Sequence, residues 1–109
     1  MSHQEFSIDV ERGTECVRVR PVGELDLATV PRLEAELARL RDAGVRSLML
    51  DLRGLTFMDS TGLSLTLRWS LEASRDGFDF SLVRGEGAIR RLFELTGMDH
   101  RLPFRDPDE

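Results

Sequence analysis

The chain has 109 residues, enough for one domain of ordinary size and too few for two. With 40% hydrophobic residues it can bury roughly two thirds of its surface, so a core forms without a metal or disulfide staple. A formal charge of -5 argues against phosphate-backbone contacts, and direct nucleic-acid binding is not expected. Cys16 stands alone, and with only His3 and His100 a Cys/His zinc site is excluded. All 15 basic residues are arginine, which removes P-loop, Schiff-base and Ser-Lys chemistry. No apolar run reaches the ~20 residues of a membrane span, and the start MSHQEF is unlike a signal peptide. A cytoplasmic protein without membrane insertion is expected.

Residues 6–10 (FSIDV) and 15–21 (ECVRVRP) alternate at period two around a polar break at Glu11, Arg12, Gly13 and Thr14, predicting an antiparallel hairpin. Phe6, Ile8 and Val10 should share one face; Val17 and Val19 should face the core, with Cys16, Arg18 and Arg20 on the other side. Gly23-Glu24-Leu25-Asp26 then ends the strand. Thr29 can cap a helix with Pro31 in its first turn, and Val30, Leu33, Leu37 and Leu40 give that helix an apolar stripe, which Gly44 stops. Residues 45–52 (VRSLMLDL) suit a buried inner strand, followed by a loop over 53–59.

Over residues 60–76 the leucines alternate as in a strand, but the segment lacks Val and Ile and is too long for one. As a helix it carries two stripes, Leu63-Leu67-Leu71 and Leu65-Trp69, and the second must meet another helix or a partner. Phe78 to Val83 reads as a strand. Gly85 to Gly87 is a break, and Ile89, Leu92, Phe93 and Thr96 line a short helix ended by Gly97, with Met98 folding back. Leu102 to Phe104 is a candidate last edge strand, and residues 106–109 a solvated tail. This order predicts an α/β (α+β-like) fold of two layers, with a mixed sheet and helices mainly on one face.

Ser60 is the one candidate nucleophile, in Asp59-Ser60-Thr61-Gly62. The G-x-S-x-G elbow is missing and the only bases are His3 and His100, so a helix-start role outweighs hydrolysis. Asp26, Asp51 and Asp59 could ligate a cation, yet they lack a recognised ligand spacing. Gly85-Glu86-Gly87 is too short for a dinucleotide loop. No catalytic residue, metal or cofactor is expected. The more coherent constellation places the loop after the second strand beside the loop after the third, bringing Glu24 and Asp26 near Met58, Asp59 and Ser60. A hydroxyl at a helix start lies near unpaired N–H groups, and a phosphate there would add ~1.5 to 2 negative charges beside Asp59.

Gly23-Glu24-Leu25-Asp26, the strand Leu48-Met49-Leu50-Asp51-Leu52, and above all Leu55-Thr56-Phe57-Met58-Asp59-Ser60-Thr61-Gly62 resemble the STAS domains, specifically the bacterial anti-anti-sigma factors. The resemblance implies one STAS domain over residues 1–109 with its core at about 5–104, and a mixed sheet of four or five strands. It further implies a non-catalytic anti-sigma factor antagonist. Ser60 would be phosphorylated by an anti-sigma factor that is a GHKL-type serine kinase, and a serine phosphatase would reset it. Gly23, Glu24, Leu25, Asp26, Met58, Asp59, Ser60, Thr61 and Gly62 would form the partner-binding surface. The unmodified protein would hold the anti-sigma factor and free sigma. A stressosome or lipid-transport ABC subunit is the alternative, and a weak homodimer is left open. Arg53-Gly54 departs from the small residue common in the family at the arginine's position. Trp69, in the second stripe, fits helix-to-sheet packing better than a partner contact.

Overall fold

A computed structural model describes residues 5–107 of the chain. It opens with β1 (Ser7–Arg12) and β2 (Val17–Leu25), paired antiparallel with Ser7 opposite Val22 and Arg12 opposite Val17. Both strands run further than expected. Glu11 lies opposite Arg18 and so extends β1 as an opposite-charge cross-strand neighbour rather than breaking it. Gly23, Glu24 and Leu25 do not end β2 but form its last residues, continuing the alternation of buried Val17, Val19, Pro21, Gly23 and Leu25. Val10, toward the far end of the face it shares with Phe6 and Ile8, is 36% exposed. Cover of that face of β1 lies near its start, where Phe6 is buried beneath the Arg32 guanidinium, 5.1 Å from the ring centroid.

The remaining elements are α1 (Val30–Asp42), β3 (Ser47–Asp51), β4 (Leu55–Met58), α2 (Ser60–Asp76), β5 (Asp79–Val83) and α3 (Gly87–Leu95). The mixed five-stranded sheet runs β1-β2-β3-β5, with β4 paired to β2. β3 pairs parallel with the first part of β2, through Val17–Val19 and Leu48–Leu50. A 3-10 turn at Leu52–Gly54 then leads into β4, which pairs parallel with the last part of β2. The segment expected as a loop over 53–59 therefore contains a strand. Its four residues run buried, exposed, exposed, buried, so no period-two signal marks it. The expected strand at Leu102 to Phe104 reduces to a single parallel bridge between Leu82 and Phe104. Pro103, which has no N–H to donate, interrupts the ladder there.

α1 and α2 have the expected bounds and stops: Gly44 follows the Ala43 cap of α1, and Gly77 caps α2. In α2 the sheet-facing line is Gly62, Leu65, Thr66, Trp69 and Ala73, all buried. Leu63 and Leu67 pack against the rim of the core, whereas Leu71 is exposed. Trp69 is packing: its ring lies 6.3 Å from Phe78 and 6.4 Å from Phe80, and its Nε1–H donates to Glu34 of α1 at 3.3 Å. Glu34 also accepts from Arg68, and Arg41 reaches Glu72 at 3.4 Å, so the two helices are tied along their shared edge. The second stripe is thereby met by the sheet and by α1.

Candidate functional site

The candidate site is where β2 and β4 end side by side. Their parallel register sets Glu24 opposite Phe57 and Leu25 opposite Met58, with a bulge between Gly23 and Glu24 where Gly23 takes φ +114°. Only glycine adopts that φ without strain. Immediately beyond, the Asp59 N–H donates to the Leu25 carbonyl at 3.2 Å. The juxtaposition expected between the two loops is thus present in the fold.

Asp59, not Ser60, caps α2. Its Oδ1 accepts from the Thr61 N–H at 2.9 Å, the Gly62 N–H at 3.3 Å and the Thr61 hydroxyl. Ser60 is the first helical residue; its side chain is exposed, and its hydroxyl makes no hydrogen bond among the described residues. The expectation that a group on Ser60 would meet unpaired N–H donors is narrowed here: Asp59 occupies those of Thr61 and Gly62, and the N–H of Ser60 itself has no partner among the described residues. Gly62 is required for a different reason: a Cβ there would stand 2.8 Å from Met58 Cγ and 3.1 Å from Leu25 Cδ2. Only a bare Cα lets the first turn of α2 seat on the ends of β2 and β4.

The neighbouring loop is held as firmly. The Thr29 hydroxyl donates to the Glu24 carbonyl at 2.7 Å and accepts from the Asp26 N–H at 2.9 Å, so it ties the loop instead of capping α1 through its side chain. Asp26 Oδ1 accepts from the Ala28 and Thr29 N–H groups at 3.0 and 3.2 Å. Of the nine residues expected to bind a partner, Gly23, Leu25, Met58 and Gly62 are buried and form the platform. Glu24 and Ser60 are exposed, while Asp26, Asp59 and Thr61 are half-buried. Two exposed apolar side chains flank them unforeseen, Leu27 at 75% and Phe57 at 47%. The sequence marks Phe57 only by its place directly before the Met58-Asp59-Ser60 string; its exposure comes from the assembled surface.

The Asp59 carboxyl lies below the ordinary carboxylate range, chiefly through the Thr61 hydroxyl; burial opposes this, and the Gly62, Thr61 and Leu27 N–H groups add to the lowering. A second carboxylate, at the end of β3, is also held below its ordinary range. Asp51 is fully buried; burial pushes its carboxyl up, but the Arg53 side chain and N–H, followed by the charges of Arg53 and Arg18, bring it below the ordinary range. Arg53 donates through Nε at 2.9 Å and a terminal nitrogen at 2.7 Å, and Arg18 stands at 3.6 Å. The departure at Arg53 therefore has a local role, fixing the turn that launches β4. Asp26, Asp51 and Asp59 are each held by different local partners, and the described residues hold no group of three or more His, Cys, Asp or Glu side chains placed to share a metal. His100 is exposed beside Asp99, and His3 lies outside the described residues.

The STAS domain family matches residues 7–107. The chain belongs to the STAS domain family. Among STAS proteins it groups with the anti-sigma factor antagonists. The "Anti-sigma-B factor antagonist" of Staphylococcus aureus is 36% identical over 95 residues, covering 85% of this chain and 88% of that protein. The crystal structure of an anti-sigma factor antagonist from Mycobacterium paratuberculosis superposes with a TM-score of 0.74 at 28% identity, over 94% of this chain and 86% of that one. The Bacillus cell fate determinant SpoIIAA in its phosphorylated form gives 0.70 at 25% identity, over 92% and 90%. These STAS relatives bear the names of regulators. Among the described residues of this STAS chain, no helix is long and apolar enough to cross a membrane.

Proposed function

We propose that this STAS protein is an anti-sigma factor antagonist that binds an anti-sigma factor serine kinase when unmodified, freeing sigma, and is released by phosphorylation at Ser60. The observation that carries the reading is the position of Ser60: an exposed hydroxyl with no internal partner among the described residues, on a rigid platform beside the Glu24 and Asp26 loop. Supporting it, the relatives are named antagonists of an anti-sigma factor, and one structural neighbour exists in a phosphorylated form.

Glu24, Asp26 and Asp59 bring negative charge to the strand and loop ends that lie beside Ser60. In the transfer step the γ-phosphoryl of ATP passes to Ser60 Oγ. The O–P bond to Oγ forms as the bond to the β-phosphate oxygen breaks, the hydroxyl proton goes to a base of the kinase, and ADP leaves. The modified residue carries ~1.5 to 2 negative charges. The Thr61 and Gly62 N–H groups are engaged by Asp59, so the dianion depends largely on water for solvation. Docking would strip that water beside like charges, at a cost of several kcal/mol for an ion left without a partner. Hydrolysis of the phosphoserine by a serine phosphatase restores the binding form.

The test is phosphoryl transfer from radiolabelled ATP by purified GHKL-type anti-sigma kinases, with Ser60→Ala as control. Label on the wild-type chain and none on the variant supports the reading. Equal labelling of both, or none on either with every anti-sigma kinase of the source genome, defeats it.

A further inference from the structure

A shallow apolar groove of about 230 Å³ runs between β4 and α3, starting two residues from Ser60. Phe57, Met58, Ala88, Leu92 and Leu95 line it, with Phe57 47% and Leu95 74% exposed. One charged side chain stands among them, Arg91, which is exposed and has no ion pair among the described residues, whereas its neighbour Arg90 is paired with Glu94. The groove is open and smaller than the ~300 to 1,000 Å³ cavities that enclose small ligands, so a flat or helical protein surface suits it better.

We propose that this groove is a second contact for the anti-sigma factor, receiving the apolar face of an amphipathic helix that carries a carboxylate opposite Arg91. The proposal rests on Ser60 being the centre of the docking face. Two considerations identify the occupant. A stable interface covers about 800 Å² on each side, from roughly 20 to 30 residues, and the exposed parts of the loops at 24–28 and 59–61 are too few to supply it. The adjoining exposed apolar surface continuous with Ser60 is this groove, entered through Phe57 and Met58. Charge is the other: an apolar groove with one uncompensated guanidinium fits a partner presenting apolar side chains and an acid. A second copy of the chain fits poorly, because in a two-fold contact the groove would meet its own lining, which holds no carboxylate for Arg91, between two chains of charge -5.

The experiment is titration calorimetry of the anti-sigma kinase that labels Ser60 against the wild type, Leu95→Asp, Arg91→Glu, Arg91→Lys and Ser60→Asp. Both Leu95 and Arg91 are exposed, so unchanged thermal melts are expected for their variants. Leu95→Asp and Arg91→Glu should each weaken binding about tenfold or more, and Arg91→Lys should stay near wild type, since the charge is kept. If Ser60→Asp weakens binding while Leu95→Asp and Arg91→Glu bind like wild type, the groove proposal is overturned and the Ser60 reading stands. If Ser60→Asp binds like wild type, the Ser60 reading fails and the groove proposal falls with it. Sedimentation velocity adds one further outcome: a wild-type dimer that Leu95→Asp dissolves would seat a second copy in the groove and overturn the proposal.

Discussion

The N–H of Asp59 donates to the carbonyl of Leu25 at 3.2 Å, so the cap of α2 and the last residue of β2 are fixed to one another. Everything exposed at the site is displayed from that joint. Leu25 and Met58 are buried below it, and Glu24, Asp59 and Ser60 stand above. The surface is therefore pre-formed, and a partner loses little conformational freedom in ordering it.

Gly62 is the tightest point of the joint. In Gly62→Ala the added methyl would push on Met58 and Leu25, and overpacking of this kind costs ~1 to 3 kcal/mol. Urea unfolding should show that loss, and a variant as stable as wild type would mean that the platform tolerates separation of α2 from the strands.

Replacing Asp59 separates capping from charge. Asp59→Ala removes the acceptor for the Thr61 and Gly62 N–H groups and should cost about 1 kcal/mol while keeping the fold. Asp59→Asn keeps an acceptor at that place, so its stability should lie close to wild type while any effect on phosphorylation rate persists. Equal unfolding midpoints for Asp59→Ala and wild type would remove the capping role.

Asp51 and Arg53 give the fold an acid sensitivity. The Asp51 carboxyl is lower in the folded chain than its ordinary value of ~3.9, so its contribution is present above that value and is lost as pH falls through the lower folded value. Asp59 acts in the same direction. Urea midpoints measured from pH 7 down to pH 3 should fall at the acid end. Arg53→Ala leaves the buried carboxylate with Arg18 at 3.6 Å, and at neutral pH it should cost ~1 to 3 kcal/mol. An unchanged midpoint for Arg53→Ala would show that Arg18 alone suffices.

Most elements were legible because their periods were clean. Val30, Leu33, Leu37 and Leu40 mark α1, and the alternation from Val17 marks β2. The misses have physical causes. β4 lies beside β2 in the sheet and packs against α3 and α2, and its four residues run buried, exposed, exposed, buried, which leaves no alternation. The end of β2 was misplaced because Gly23 and Asp26 are turn residues by composition, whereas here Gly23 forms a bulge inside the strand. At the site, the Asp59-Ser60-Thr61-Gly62 string located the helix start but not which residue caps it. Both Asp and Ser are good caps, and only the backbone, extended at Asp59 and helical from Ser60, decides between them. Leu27 and Phe57 escaped notice because exposure of an apolar side chain is a property of the assembled surface.

In the proposed switch, charge added at Ser60 changes affinity while the fold stays intact. The most direct test is calorimetry of the purified anti-sigma kinase against the unmodified chain and against the chain phosphorylated at Ser60, with circular dichroism confirming equal folding. A penalty of ~2 to 3 kcal/mol corresponds to binding weakened about 30- to 150-fold for the phosphorylated form. Equal affinities of the two forms would contradict the account.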